Sequence, residues 1–385
     1  MAIYFLYLVS VVMVGWYLLG DKVTTKQKSN CMLAFGLFLV AMMTLRYSIG
    51  YDFISYSGMF DQYKAMPWDQ FREATGIHEF LFHYLMKGVA AIGGGYYHFL
   101  LVCNLIMVGC VLWVIYRHSP VWWLSLTLYL TLQFVPHSMN LLRQSLAASI
   151  AFAGWDFLRK GKFWKYTAVI LLASCFHISA LIMIPCYFLL RLPFTLPVLV
   201  VYGVGLLGGY FAFDPLLKLA TTLVPKYKYY IASSIYGQGN SFLYVLLPFV
   251  LAIAALLLAK PLIARKKSNS ILVYSTLFTF VFYLFMTKMY IVERLSIYFF
   301  MYAMLLLPEI VAMFRERDEQ NAQVTQKLKQ QALSRQTLAI LAIMLVSVGY
   351  LLFAAKDGYH KTYPYVGVWE QEKAISNDQY YQEHS

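Results

Sequence analysis

The chain has 385 residues, 61% of them hydrophobic and 13% charged, where soluble domains carry roughly 25% charged and 45–50% apolar residues. A soluble enzyme is excluded, and an all-α, polytopic integral membrane protein is expected. The net charge of +13 comes from short Lys/Arg clusters between apolar runs, the pattern of cytoplasmic loops and not of a nucleic-acid-binding face.

Residues 2–20 form the first expected span, and no basic residue precedes Asp21 to make a secretory signal. Apolar runs follow at 31–45, 96–116, 120–136 and 145–158. A shorter run at 79–92 contains Glu79, His83 and Lys87 and ends in Gly93, Gly94 and Gly95, which suits a short interfacial or re-entrant helix. The basic clusters at 22–28, 159–165, 260–267 and 315–335 are all placed in the cytoplasm, so the helices between successive clusters must be even in number. The run 166–190 is expected as one helix, and 192–213 is divided at Gly208 and Gly209 so that YFAFDPLLKLATTLVP returns across the membrane with Lys218 snorkelling. Runs at 242–259, 271–290, 295–313 and 336–355 bring the count to about 12 transmembrane helices. One polytopic domain, 1–355, is expected, with extracytoplasmic loops 46–95 and 226–241 and an extracytoplasmic tail, 356–385.

Cys31, Cys103, Cys110, Cys175 and Cys186 lie in or beside apolar stretches without metal-type spacing, so they are packing residues, not a disulfide framework. The functional signal is in the ionisable groups near or within apolar helices, because a charge at the bilayer centre costs roughly 2.5–3.5 kcal/mol even on the insertion scale. Arg46 ends the second helix; Arg143, with Asn140 and Gln144 beside it, sits where a short helix leaves the outer face; His177 lies inside the run 166–190. Glu293 and Arg294 fall between two long runs, and Lys226, Tyr229 and Tyr230 belong to KYKYY. Plainer roles compete: helix-end anchors for Arg46 and Arg294, a packing residue for His177, a snorkelling anchor for KYKYY. The loop 46–95 mixes Asp52, Glu79 and further charges with Tyr and Trp, a surface that suits sugars or an interfacial aromatic belt.

Soluble catalytic motifs fail. His78 and His83 are five residues apart, about 140° around a helix, which is not a zincin face. No GxSxG elbow, no Asp-x-Asp pair and no Lys-Ser/Thr after the three glycines is present. No metal and no cofactor are expected.

The segments RYSIGYD (46–52), HEFLF (78–82), NLLRQSLAASIAFAGWDFLRKGKFWKY (140–166), FHISALIMIP (176–185), KYKYY (226–230) and ERLSIYF (293–299) resemble, in order and spacing, the EpsG-like and Wzy-type bacterial polymerases of O-antigen, capsule and exopolysaccharide. The resemblance spans about residues 40–305. It implies a glycosyltransferase of the bacterial cytoplasmic membrane that moves a growing glycan from undecaprenyl pyrophosphate to the non-reducing end of a new lipid-linked repeat, at an outward-facing site. Its implied partners are undecaprenyl-pyrophosphate-linked oligosaccharides and the lipid bilayer, with a flippase and a chain-length regulator beside it and no nucleic acid.

For that chemistry Arg143, Arg46 and Arg294 are the candidates to neutralise the leaving pyrophosphate, and Asp52, Glu79 or His177 to deprotonate the acceptor hydroxyl. A carboxylate is preferred over His177, which sits inside its expected helix. Asn140, Gln144, Lys226, Tyr229, Tyr230 and Glu293 complete the substrate-binding set. Inversion without a metal is the default. Another lipid-linked glycosyltransferase or ligase, a lipid-linked oligosaccharide transporter and a membrane acyltransferase stay as alternatives.

Overall fold

The computed structural model describes residues 1–19, 24–76, 78–223, 242–322, 326–356 and 358–370. Among these the chain is helical, with one isolated β-bridge, Arg46 to Gly367. It divides into two compact units, Met1–Met183 with Ile340–Ser385, and Ile184–Ala339.

The first unit opens with α1 (Ala2–Leu19) and α2 (Thr25–Thr44). Thr24 and Gln27 form a reciprocal capping box that starts α2 after the basic loop. A group of three shorter helices follows: α3 (Asp52–Ala65), α4 (Trp68–Thr75) and α5 (Phe80–Ala91). Lys87 of α5 is buried, donates from Nζ to the Tyr63 carbonyl at 2.8 Å and to the Met66 carbonyl, and lies over the Trp68 ring. It thereby satisfies the open C-terminal carbonyls of α3 and locks this group together.

Next come α6 (Tyr96–His118), α7 (Trp122–Thr131), α8 (Phe134–Asn140), α9 (Leu142–Ala153), α10 (Trp155–Arg159) and α11 (Phe163–Ser174). Every residue of α7 and α8, and nearly every one of α9, is buried; α7 is apolar nearly all round, as suits the middle of a bundle, whereas α8 and α9 bury the polar residues His137, Asn140 and Gln144. Around them α6 packs on both α2 and α9, and α1 on α7. The α2–α6 contact is close at Gly36, where a Cβ would press on Leu112, and it is fixed by the buried bond from Asn104 Nδ2 to Thr44 Oγ1, 2.9 Å; small residues and interhelical hydrogen bonds are how membrane helices associate. In the first turn of α10, Asp156 gathers Arg159 (2.6 Å), Lys160 (3.4 Å), His118 (3.5 Å) and Arg117 (3.8 Å).

The chain continues through a 3-10 turn, Ile178–Ile182, into α12 (Met183–Leu190), which opens the second unit. There follow α13 (Leu196–Phe211), α14 (Phe213–Leu223), α15 (Leu246–Leu257), α16 (Ala259–Arg265), α17 (Asn269–Met286), a 3-10 turn at Tyr290–Ser296, α18 (Ile297–Phe300) and α19 (Ala303–Ala322). The centre of this unit is α17, which touches α15, α16, α18, α19 and the turn. Buried Glu309 of α19 pairs with Arg265 and with Lys266 (2.6 Å), and Arg265 also grips Glu316 at 2.7 and 2.8 Å, which ties α16 to α19. The last α-helix among the described residues is α20 (Gln326–Lys356).

This is a helical membrane protein. Among the described residues, α6, α17 and 335–356 of α20 are long and apolar enough to cross a bilayer alone, and three bent pairs raise the number to six if each is one span. The expected 12 are not reached, because apolar runs that look continuous are cut into shorter helices. The run 120–136 breaks at Gln133, which is in the left-handed region (φ 69°), and 166–190 breaks at 175–177. The division expected at Gly208 is displaced: α13 continues through both glycines to Phe211 and turns by 74° into α14. Pro215 explains the position, since its ring lacks an N–H and collides with the carbonyl four residues back, that of Phe211. The short helix expected at 79–92 is α5.

Candidate active site

The motif Arg46-x-x-x-Gly50-x-Asp52 shapes one wall. Gly50 has φ +86°, and a Cβ there would stand 2.6 Å from the Met139 carbonyl oxygen and 2.8 Å from the Asn140 Cα. Only glycine tolerates both the backbone and the approach. The loop therefore lies against α8, and the Asp52 amide donates to Asn140 Oδ1 at 3.2 Å. Asp52 begins α3, and Tyr56, one turn on and on the same face, receives a hydrogen bond from Arg143 Nε at 3.3 Å.

Arg143 is the second residue of α9, just past the break at Leu141. Its guanidinium sits over the rings of Tyr56 and Phe82, 5.6 and 5.8 Å to the centroids, and Nη1 contacts Glu79 Oε2 at 2.8 Å. The other oxygen of Glu79 meets His177 Nδ1 at 2.5 Å and accepts the Ile178 amide at 3.3 Å. One carboxylate thus joins the arginine and the histidine. Glu79 itself has φ 55°, a left-handed conformation that non-glycine residues avoid and that recurs where strain is held for function. The neighbouring bond from the Leu81 amide to the Cys175 carbonyl, 3.1 Å, fixes the two segments side by side.

His177 is not inside a helix, contrary to expectation. It is extended (φ −156°, ψ 121°) in the gap between α11 and the 3-10 turn, which is what frees its ring to reach Glu79. Side-chain exposures of 12% for Glu79, 26% for His177 and 32% for Arg143 describe a site open to a ligand at its histidine and arginine and closed at the carboxylate between them. Burial acts to raise the Glu79 pKa, but the hydrogen bond and charge of His177 and the charge of Arg143 prevail and hold it down at about 2. The group is a permanent anion at physiological pH. Tyr63 and His83, joined at 3.1 Å, line the adjoining surface.

Arg143, Glu79, His177, Asp52 and Asn140 are therefore brought together, all in the first unit, and Gln144 is buried beside Arg143 in α9. Arg46 is fully buried at the other end of the same loop. Glu293 and Arg294 belong to the second unit, where Glu293 is buried against Tyr283. Lys226, Tyr229 and Tyr230 lie outside the described residues. Tyr56 was absent from the expected set; its signal is the four-residue step from Asp52. Among the described residues no three of His, Cys, Asp and Glu converge as metal ligands.

A family model, that of the EpsG family, matches residues 29–365. Among curated proteins and among solved structures, none matches the chain.

Proposed function

The chain belongs to the EpsG family, and from that premise we propose that it polymerises undecaprenyl-pyrophosphate-linked oligosaccharides at an extracytoplasmic site formed by Arg143, Glu79 and His177. The observation that carries this reading is the single carboxylate that positions both an arginine and a histidine on a partly open surface. With Nδ1 held by Glu79, the other nitrogen of His177, Nε2, takes the proton of the acceptor hydroxyl as its oxygen attacks the donor's anomeric carbon. The bond from that carbon to the pyrophosphate oxygen breaks, and the lipid diphosphate leaves with the electron pair, its charge met by the free edge of Arg143. Attack opposite the leaving group inverts the centre. Arginine supplies the neutralisation, so the reaction proceeds without a divalent ion.

A carboxylate whose oxygens already hold Arg143, His177 and the Ile178 amide accepts a further proton poorly, which favours His177 over Glu79 as base and makes Glu79 the positioning residue. Asp52 and Asn140 shape the acceptor side, and the buried rings of Tyr56 and Phe82 back the guanidinium of Arg143 and hold it in place. In this reading residues 46–95 face outward and the basic clusters around 159–165 and 260–267 face the cytoplasm.

A bacterial strain that lacks the gene and is complemented with variants tests the assignment through its surface polysaccharide ladder. Arg143→Lys is expected to leave only short products with the protein still inserted, because a point charge cannot reproduce the planar fork. Arg191→Lys, an exposed position of the second unit, is expected to give a normal ladder. Normal polymerisation by Arg143→Lys with loss in Arg191→Lys would place the site elsewhere.

A further inference from the structure

Arg46 follows α2 fully buried, and its guanidinium makes one hydrogen bond, from Nη1 to the Met43 carbonyl. Nε and Nη2 have no partner among the described residues. Its surroundings are aromatic: Phe53, 5.7 Å to the ring centroid, with Tyr4, Tyr96 and Tyr365 close by. A buried cation whose donors are unspent is unfavourable until an anion reaches it, and the guanidinium fork matches phosphate oxygens in pairs.

Against this residue lies the C-terminal strap, residues 358–370. On either side of the Arg46–Gly367 bridge, the Tyr47 amide donates to the Val366 carbonyl and the Val368 amide to the Leu45 carbonyl, both at 2.9 Å. The Gly50 amide donates to the Lys361 carbonyl at 3.0 Å, Tyr365 Oη to the Met42 carbonyl at 2.8 Å, and Tyr4 Oη to the Thr362 carbonyl at 3.0 Å. The rest of the wall comes from α1, α2, α3 and α6, through Tyr4, Met43, Phe53 and Tyr96. The strap has one helical turn, Tyr359–Lys361, and is held by these bonds, by Tyr363 Oη donating to Gln133 Oε1 at 2.8 Å and by the buried side chains of Thr362, Tyr363 and Val366; its pairing edge at 366–368 belongs to no helix, so it is the part of the wall that can part without breaking a helical ladder.

We propose that residues 358–370 form a latch on a diphosphate site whose cation is Arg46: the pairing of residues 45–47 with 366–368 opens, and the unpartnered edge of Arg46 receives the phosphate oxygens. A closed latch lowers apparent affinity by the fraction of molecules that are open, so diphosphate binding and strap opening are linked. Only the identity of the ligand as lipid-linked rests on the polymerase reading. The latch itself requires no glycosidic bond.

Amide hydrogen exchange in nanodiscs tests it, with no addition, with inorganic pyrophosphate, and with farnesyl diphosphate. In the wild type a diphosphate is expected to speed exchange at Tyr47, Gly50 and Val368 about tenfold, and in Arg46→Met to change nothing. Action of inorganic pyrophosphate alone identifies a free diphosphate as ligand, and action of the farnesyl compound alone identifies a lipid-linked one; both outcomes support the latch. Unchanged exchange with both, or an equal response in Arg46→Met, overturns it. Val368→Pro removes one of the two edge donors and is expected to bind the effective diphosphate about tenfold more tightly, a gain that a misfolded chain cannot imitate. Unchanged or weaker binding overturns the proposal. Neither readout involves glycan extension, so a chain that unlatches without polymerising refutes the polymerase reading alone, and a polymerase whose strap never moves refutes the latch alone.

Discussion

Glu79 is the residue on which Arg143 and His177 both depend, and its titration gives a direct handle on the cluster. Its pKa is about 2 in the folded chain against an ordinary 4.5, so on acidification the unfolded chain takes up the proton first. The stability from its pairing is complete above about pH 4.5 and is lost as the pH falls through about 2. The difference in melting temperature between wild type and Glu79→Gln should therefore hold steady near neutrality and shrink on acidification below about pH 4.5; a difference that widens there contradicts the pairing. His177→Ala should lower turnover about 10²–10⁴-fold with the protein still inserted, as for loss of a general base. Arg143, Glu79 and His177 are legible in the sequence because a charge or an imidazole beside apolar runs needs a partner. The extended backbone at His177 is not: YTAVILLASCFHISALIMIP carries no glycine, and its only proline comes eight residues later, at Pro185, so hydropathy passes over the break that gives the histidine its reach.

Among the elements, the loop before α3 and the turn at Glu79 that opens α5 set the site's walls. Gly50→Ala forces both a Cβ against the α8 backbone and a positive φ, and should destabilise the chain by about 1–3 kcal/mol, read as a lower melting temperature with release of the Asp52 amide in hydrogen exchange. Lys87→Met leaves the Tyr63 and Met66 carbonyls without their donor and should cost about 1–3 kcal/mol, detectable as earlier proteolysis of the 52–91 region. The glycines at 93–95 and 208–209 attract attention in the sequence, yet the 74° turn between α13 and α14 lies beyond them, at the position that Pro215 sets. Proline removes a backbone donor and adds a clash, whereas glycine inside a long apolar helix only weakens it. The strap at 358–370 leaves no periodic signal at all, since its attachment is made by backbone groups and tyrosine hydroxyls.

At the scale of the whole molecule, helicity and membrane residence follow from composition, and the family from six ordered segments. The number of crossings does not, because bent pairs and interrupted helices carry the same hydropathy as straight spans. Topology has its own check: with the native cysteines replaced, Asp61→Cys should react with an impermeant thiol reagent from outside intact cells and Lys162→Cys only after permeabilisation. The reverse pattern would turn the site toward the cytoplasm, away from its proposed substrate.

The reaction proposed for the chain is a new glycosidic bond made from two lipid-linked repeats. Purified protein in a bilayer, given synthetic undecaprenyl-pyrophosphate-linked repeats in EDTA and without nucleotide sugar, measures this directly. The predicted result is a ladder with release of undecaprenyl pyrophosphate, abolished when the non-reducing acceptor hydroxyl of every repeat is capped and restored when only the donor is capped. A strict need for a nucleotide sugar or a divalent ion, or movement of lipids with no new bond, would contradict it.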